Sequence, residues 1–195
     1  MGERSLQKKQ FILEKAKEVF VEKGFRSVTM KDIVDACEIS RGGLYLYYGD
    51  TEQIFLEVLA ADSEKTEDVF EENVGEDATA AEILAVFLKE QKKEILGSRK
   101  TLAVAAYEYA FANPKSVILK KRFNKGVTVL EKLIKMGAEN GAFYDVDARV
   151  AAKNVMYVLE GLKIAAVTIG ISGEAIDQEL YLIMQGLIIE EEGQE

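Results

Sequence analysis

Two helix starts, Thr29 and Ser40, stand so close together that they open two short segments, the second too small to fold alone. Thr29 is followed three residues later by Asp32, the spacing at which a hydroxyl and a carboxylate satisfy orphan N–H groups at a helix start. Ile33, Val34, Ala36 and Cys37 then supply an apolar face. Glu38-Ile39-Ser40 is a tight connection, and Ser40 caps a second segment, Arg41 to Tyr48, whose Leu44 and Tyr48 face inward. Two short helices joined by a three-residue turn are the makings of a helix-turn-helix.

The outward residues of the second segment suit contact with a nucleic-acid duplex. Arg41 offers a donor fork for a phosphate or a guanine edge. Gly42 and Gly43 leave the first turn bare, so backbone N–H groups can approach phosphate oxygens at the positive end of the helix dipole. Each glycine weakens the helix by roughly 1 kcal/mol, a cost that makes sense where close approach is needed. Tyr45 and Tyr47 bring hydroxyl donors with few rotamers to freeze. Thr29, Met30, Ser40, Leu46 and Thr51 complete the candidate DNA-binding set.

The same residues resemble the signature of the TetR family of bacterial transcriptional regulators. Thr29, Ile33, Ala36, Ile39, Ser40, Gly42, Leu44, Tyr45, Tyr47, Tyr48 and Ile54 match it in order and spacing. Ile12, Ala16, Phe20, Gly24 and Phe25 match the family's first-helix pattern. Glu38 stands where a turn glycine is usual, and Thr51 replaces a lysine that commonly contacts phosphate. The resemblance implies an all-α fold: a three-helix DNA-binding domain over residues 1–50 and a larger helical domain over 51–195, about nine helices in all. It also implies a homodimeric regulator, most simply a repressor, that binds a palindromic operator in double-stranded DNA and leaves it when a small molecule occupies the C-terminal domain. A sensor or adaptor of the same fold without specific DNA binding is the competing expectation.

Charge partitions along the chain. Net charge is −9, yet residues 1–60 hold nine Lys/Arg against ten Asp/Glu, so the acid load lies beyond the helix-turn-helix. Arg4, Lys8, Lys9, Arg26, Lys31 and Arg41 can form a local positive face, because distant acids are screened within a few Debye lengths. Histidine is absent, which removes imidazole catalysis and histidine metal sites; no enzyme, cofactor or metal site is expected. Cys37 has no partner for an internal disulfide and reads as a small buried hydrophobe. No long apolar run and no signal peptide are apparent, so the expected place is the cytoplasm, away from membranes.

The rest of the chain reads as successive helices. A first helix over about 6–23 ends at Gly24 and braces the two that follow. Asp50 and Gln53 restart the chain into a fourth helix shared across the domain boundary, and the acidic stretch 64–77 closes near Gly75. Thr79 and Glu82 form a capping box for a helix running to about Leu96, broken by Gly97-Ser98. Thr101 to Ala112 is nearly all apolar; Pro114 is expected in the first turn of a helix over 115–139. Two final helices, 148–169 and one after Gly173, carry more apolar surface than one core can cover. Val155, Leu159, Leu162, Ala166, Leu180, Ile183, Met184 and Leu187 are taken as the dimer interface, with Val150, Tyr157, Ile164 and Val167 on the opposite side of their helix.

Aromatic and lone polar residues in otherwise apolar helices are the candidates for an effector pocket: Phe87, Tyr107, Glu108, Phe111, Phe123 and Tyr157. Glu108 between two tyrosines suits a lipophilic cation. Glu160 has a simpler role open to it, pairing with Lys163 one turn on.

Overall fold

The computed structural model describes residues 2–73, 78–97 and 102–189, the side chains of 63–73 excepted. Gly75, Ser98 and Thr101, read as helix boundaries from sequence, lie outside the described residues. Among those described, nine helices follow one another: α1 (Glu3–Lys23), α2 (Met30–Cys37), α3 (Arg41–Tyr45), α4 (Thr51–Asn73), α5 (Ala80–Leu96), α6 (Ala103–Ala112), α7 (Ile118–Glu139), α8 (Ala148–Thr168) and α9 (Gly173–Gln185). The all-helical expectation is met, and the expected caps are present. Thr29 with Asp32, and Thr79 with Glu82, each form the full reciprocal capping box. Asp147 and Ser172 cap α8 and α9 in the same manner, by accepting backbone N–H groups of the first turn.

Packing divides the chain into two compact units that do not follow chain order. One comprises Met1–Val69 and Arg99–Ser116; the other comprises Phe70–Ser98 and Val117–Glu195. In the first, Ile12, Ala16 and Phe20 of α1 are buried with Ile33 of α2, Leu44 of α3, and Ile54 and Phe55 of α4. Each Ile, Leu or Phe among them contributes about 1.5–3 kcal/mol on leaving water, before conformational entropy is counted. α6 belongs to this unit. Its Tyr109 ring meets Phe25 edge-on at 4.9 Å between centroids, Phe25 meets Phe55 at 4.9 Å, and Phe20 meets Phe55 at 4.8 Å. Such contacts add stability beyond area burial alone.

In the second unit α5, α7, α8 and α9 share one core, with Leu84, Leu130, Ile134, Ala152, Leu159 and Ile176 fully enclosed. The Phe143 ring lies on Gly137, where a Cβ would stand only 2.3 Å from it, so α7 can carry nothing larger there. Phe143 also forms a single antiparallel bridge with Ile188, which ties the end of the described chain to the α7–α8 connection. Lys163 is the one buried charged side chain among the described residues. It reaches Glu94 at 3.3 Å and Glu160 at 3.7 Å, the latter being the expected one-turn pair, while Arg122 meets Glu94 at 2.7 Å.

Two boundaries differ from expectation. Pro114 does not open a helix: Ser116 N–H closes a tight turn on the Asn113 carbonyl at 2.8 Å, and α7 begins at Ile118. The fixed φ of proline serves the second position of such a turn equally well. Asn113 also donates its side-chain amide to the Tyr109 carbonyl at 3.1 Å, which finishes α6. The second segment of the helix-turn-helix is helical only over Arg41–Tyr45, then leaves by a turn rather than continuing to Tyr48.

Candidate nucleic-acid interface

α2 ends where Glu38 takes the left-handed conformation, φ 52° and ψ 40°, a bend usually left to glycine. The turn that follows sets Ser40 in extended backbone, with its Oγ accepting the Gly43 N–H at 3.1 Å. α3 therefore starts after a three-residue turn from α2 and is held against the unit's core by Leu44, which has no exposed surface. Tyr48 anchors the far end. It is buried, and its hydroxyl donates to Glu57 at 3.1 Å while Lys9 pairs with the same carboxylate at 2.7 Å. Burial, then the neighbouring Glu57 charge, pushes the Tyr48 hydroxyl well above the usual phenol range.

With those inward groups fixed, the outward ones are presented together. Arg41 is exposed, with its guanidinium 5.5 Å from the centroid of the Tyr45 ring. Tyr45 is 43% exposed and Leu46 84% exposed. A Cβ added at Gly42 would meet nothing within 4 Å, so the first turn is open to a ligand's backbone. Tyr47 and Met30 are half-buried beside this face, and Thr51 is half-buried at the first position of α4. The α4 start is capped by Asp50, whose carboxylate accepts the Gln53 N–H at 2.8 Å.

Thr29 and Ser40 have structural tasks of their own. The Thr29 hydroxyl donates to Asp32 at 2.5 Å and accepts the Asp32 N–H at 3.3 Å. Lys23 closes on the same carboxylate at 2.6 Å. That ammonium, aided by the Thr29 hydroxyl and N–H, holds Asp32 far below the usual carboxylate range. Among the described residues no ion pair engages Arg4, Arg26, Lys31 or Arg41, whereas Lys9, Lys15, Lys17 and Lys23 are each paired with an acid. Lys9, expected from sequence in the local positive face, is thus committed to Glu57.

The other candidate residues are distributed differently from expectation. Val155, Leu159, Leu162, Leu180, Ile183 and Leu187 are buried within their own unit, and Ala166 and Met184 pack against the same core. The six buried side chains hold α8 and α9 to α5 and α7 and leave no open face of their own, while Ala166 and Met184 are half-buried at the core's edge. The opposite stripe is the one left open: Tyr157 is 64% exposed, Val150 and Ile164 are exposed with it, and Gly161 between them faces open space. Tyr181 and Leu182 are exposed on α9. Sequence periodicity finds both stripes of α8 but cannot rank them, since each is apolar.

Of the effector candidates, Phe87, Phe123 and Tyr157 fall in the second unit, and the Phe123 and Tyr157 rings meet at 5.0 Å. Tyr107, Glu108 and Phe111 fall in the first, where Phe111 is exposed. Glu108 is turned to the α1–α2 connection, where its carboxylate accepts the Arg26 N–H at 3.1 Å. A surface cleft of about 430 Å³ in the first unit is lined instead by Glu52, Tyr109, Ala112, Asn113, Pro114, Lys115 and Ser116. Tyr109 donates its hydroxyl to Glu52 there at 2.8 Å.

Residues 12–58 match a family model described as bacterial regulatory proteins of the tetR family, and residues 83–177 match one described as a tetracyclin repressor-like C-terminal domain. The HTH-type transcriptional regulator YfiR of Bacillus subtilis is 32% identical over 139 residues, 69% of this chain and 67% of that protein. The HTH-type transcriptional regulator QacR of Staphylococcus aureus is 25% identical over 156 residues, 79% of this chain and 83% of its own length. Among solved structures, a regulator from Saccharomonospora viridis in complex with choline superposes with a TM-score of 0.82 at 20% identity, covering 95% of this chain and all of that one.

Proposed function

Because the chain belongs to the TetR family of bacterial transcriptional regulators, we propose that it is a repressor whose homodimer binds a palindromic operator and leaves it when a small molecule fills the C-terminal region. The observation that carries the reading is the presentation of Arg41, Tyr45 and Leu46 outward from α3 while Leu44 and Tyr48 hold it from behind. Residues 1–50 supply the reader and 51–195 the sensing and dimerising part. In a dimer each α3 enters one major groove, with half-sites about 34–36 Å apart or a multiple of that. Among the described residues Arg4, Arg26, Lys31 and Arg41 are engaged in no ion pair, so the net charge of −9 does not stop the local approach to phosphate.

The exposed α8 stripe of Val150, Tyr157 and Ile164, with Tyr181 and Leu182 of α9, supports dimerisation through a four-helix contact with a second copy. Gly161 on that stripe permits close helix approach. For the effector, Glu94 and Glu160 already face Lys163, and Glu108 holds the α1–α2 turn. The aromatic groups Phe87 and Phe123, which pack at the edge of the second unit's core, therefore support a lipophilic effector rather than one recognised by its positive charge. Its coupling to DNA release is of the usual size, about 1–3 kcal/mol.

The test is a gel shift and footprint on the DNA upstream of the protein's own coding region. Wild-type protein is expected to protect a palindrome, and Arg41→Ala and Tyr45→Ala to weaken binding about tenfold or more, with the dimer intact by sedimentation. Unchanged binding by both variants would refute the docking mode, and no binding by the wild type to any selected DNA would favour an adaptor role.

A further inference from the structure

We infer that Leu46 is a base-reading residue that packs on the C5 methyl group of a thymine, so that each operator half-site carries an A·T pair at one fixed position. The inference rests on the DNA-binding reading above. Leu46 is 84% exposed at the point where α3 ends. It shares a face with Gly42 and Tyr45, at the i, i+3, i+4 spacing of neighbours on a helix, and Leu44 occupies the opposite, fully buried side. Its N–H is bonded to the Gly42 carbonyl at 3.2 Å, so the backbone that presents it is part of the helical ladder rather than a loose end. Nothing lies within 4 Å of a Cβ at Gly42, so among the described residues no side chain covers this part of the face.

Chemistry narrows what such a side chain can read. Leucine has no donor or acceptor, so it cannot take part in the hydrogen-bond pattern of base edges and gains nothing against a charged phosphate. In the major groove the one methyl group is that of thymine. The neighbours on the face divide the remaining tasks: Arg41 for a phosphate or guanine edge, and Tyr45 for a hydroxyl contact. A large apolar group left in water in the midst of polar contact residues is accounted for if it is buried only in the complex.

Random duplex DNA is selected with the full-length protein at one fixed salt concentration, and each thymine of the enriched half-site is then replaced by deoxyuridine, which lacks only the methyl group. One position is expected to lose affinity about fourfold per substituted half-site. Leu46→Ala should bind the parent site more weakly and be indifferent to that replacement, while Leu46→Met should retain the response. Deoxyuridine that costs nothing at every thymine, or costs Leu46→Ala as much as wild type, overturns the inference and leaves the DNA-binding reading standing. A wild-type chain that enriches no sequence overturns both.

Discussion

The carboxylate of Glu108, on α6, accepts a hydrogen bond from the backbone N–H of Arg26 at 3.1 Å, 82 residues earlier in the chain. It does so beside Gly24, which takes φ 73° and ψ 175°, a conformation reserved in practice for glycine. A Cβ there would stand 2.5 Å from the nearer Glu108 oxygen. The turn between α1 and α2, which sets where the reader helices lie, is thus closed by a side chain of α6. Phe25 in the same turn packs edge-on against Tyr109, the next residue along α6. These two contacts join α6 directly to the turn that leads into the reader.

Replacing Glu108 with Ala should lower stability by about 1 kcal/mol, the usual size of a hydrogen bond with partial solvent access, and weaken operator binding. Gly24→Ala should do more, since it combines strain at a positive φ with displacement of the carboxylate. Urea unfolding and operator titration of both variants check this. If Glu108→Ala behaves as wild type in both, the contact does not position the reader.

Glu38→Gly should stabilise the protein by about 0.5–1 kcal/mol, because a left-handed conformation costs a side-chain-bearing residue 1–2 kcal/mol and glycine's extra freedom when unfolded returns part of the gain. A higher thermal midpoint with unchanged operator affinity is the expected result. A lower midpoint would mean that the Glu38 side chain contributes more than its backbone costs.

Asp32 is held far below its ordinary value by Lys23 and Thr29. A group depressed in the folded state stabilises the fold above its unfolded value and loses that contribution as pH falls, here between about pH 5 and 1. Asp32→Asn should therefore be less stable than wild type at pH 7, with the difference shrinking on acidification. Unfolding curves across that range would expose an error as a pH-independent gap.

Tyr157→Glu places a charge on the exposed stripe of α8, and Leu159→Ala removes a fully buried core side chain of the same helix. The first should yield a folded monomer in sedimentation. The second should leave the assembly intact but cost about 2–5 kcal/mol in unfolding. Dissociation by the second alone would return the interface to the stripe first expected.

The helix-turn-helix was legible from sequence because its signals are local. Capping at Thr29 and Ser40, the inward spacing of Leu44 and Tyr48, and bare glycines at the start of α3 depend on residues within a few positions of one another. Helix number and most boundaries follow from the same short-range rules. Which apolar stripe of α8 is core and which is free depends on what packs against it, and periodicity carries no such information. Glu108 shows the limit most clearly: its neighbours along α6 are tyrosines, which suggested a pocket, but its partner is a peptide N–H in a turn far away in the sequence. A hydrogen bond to a backbone group distant in the sequence leaves no mark in local residue pattern, so only the tertiary structure could assign that carboxylate to the turn before the reader.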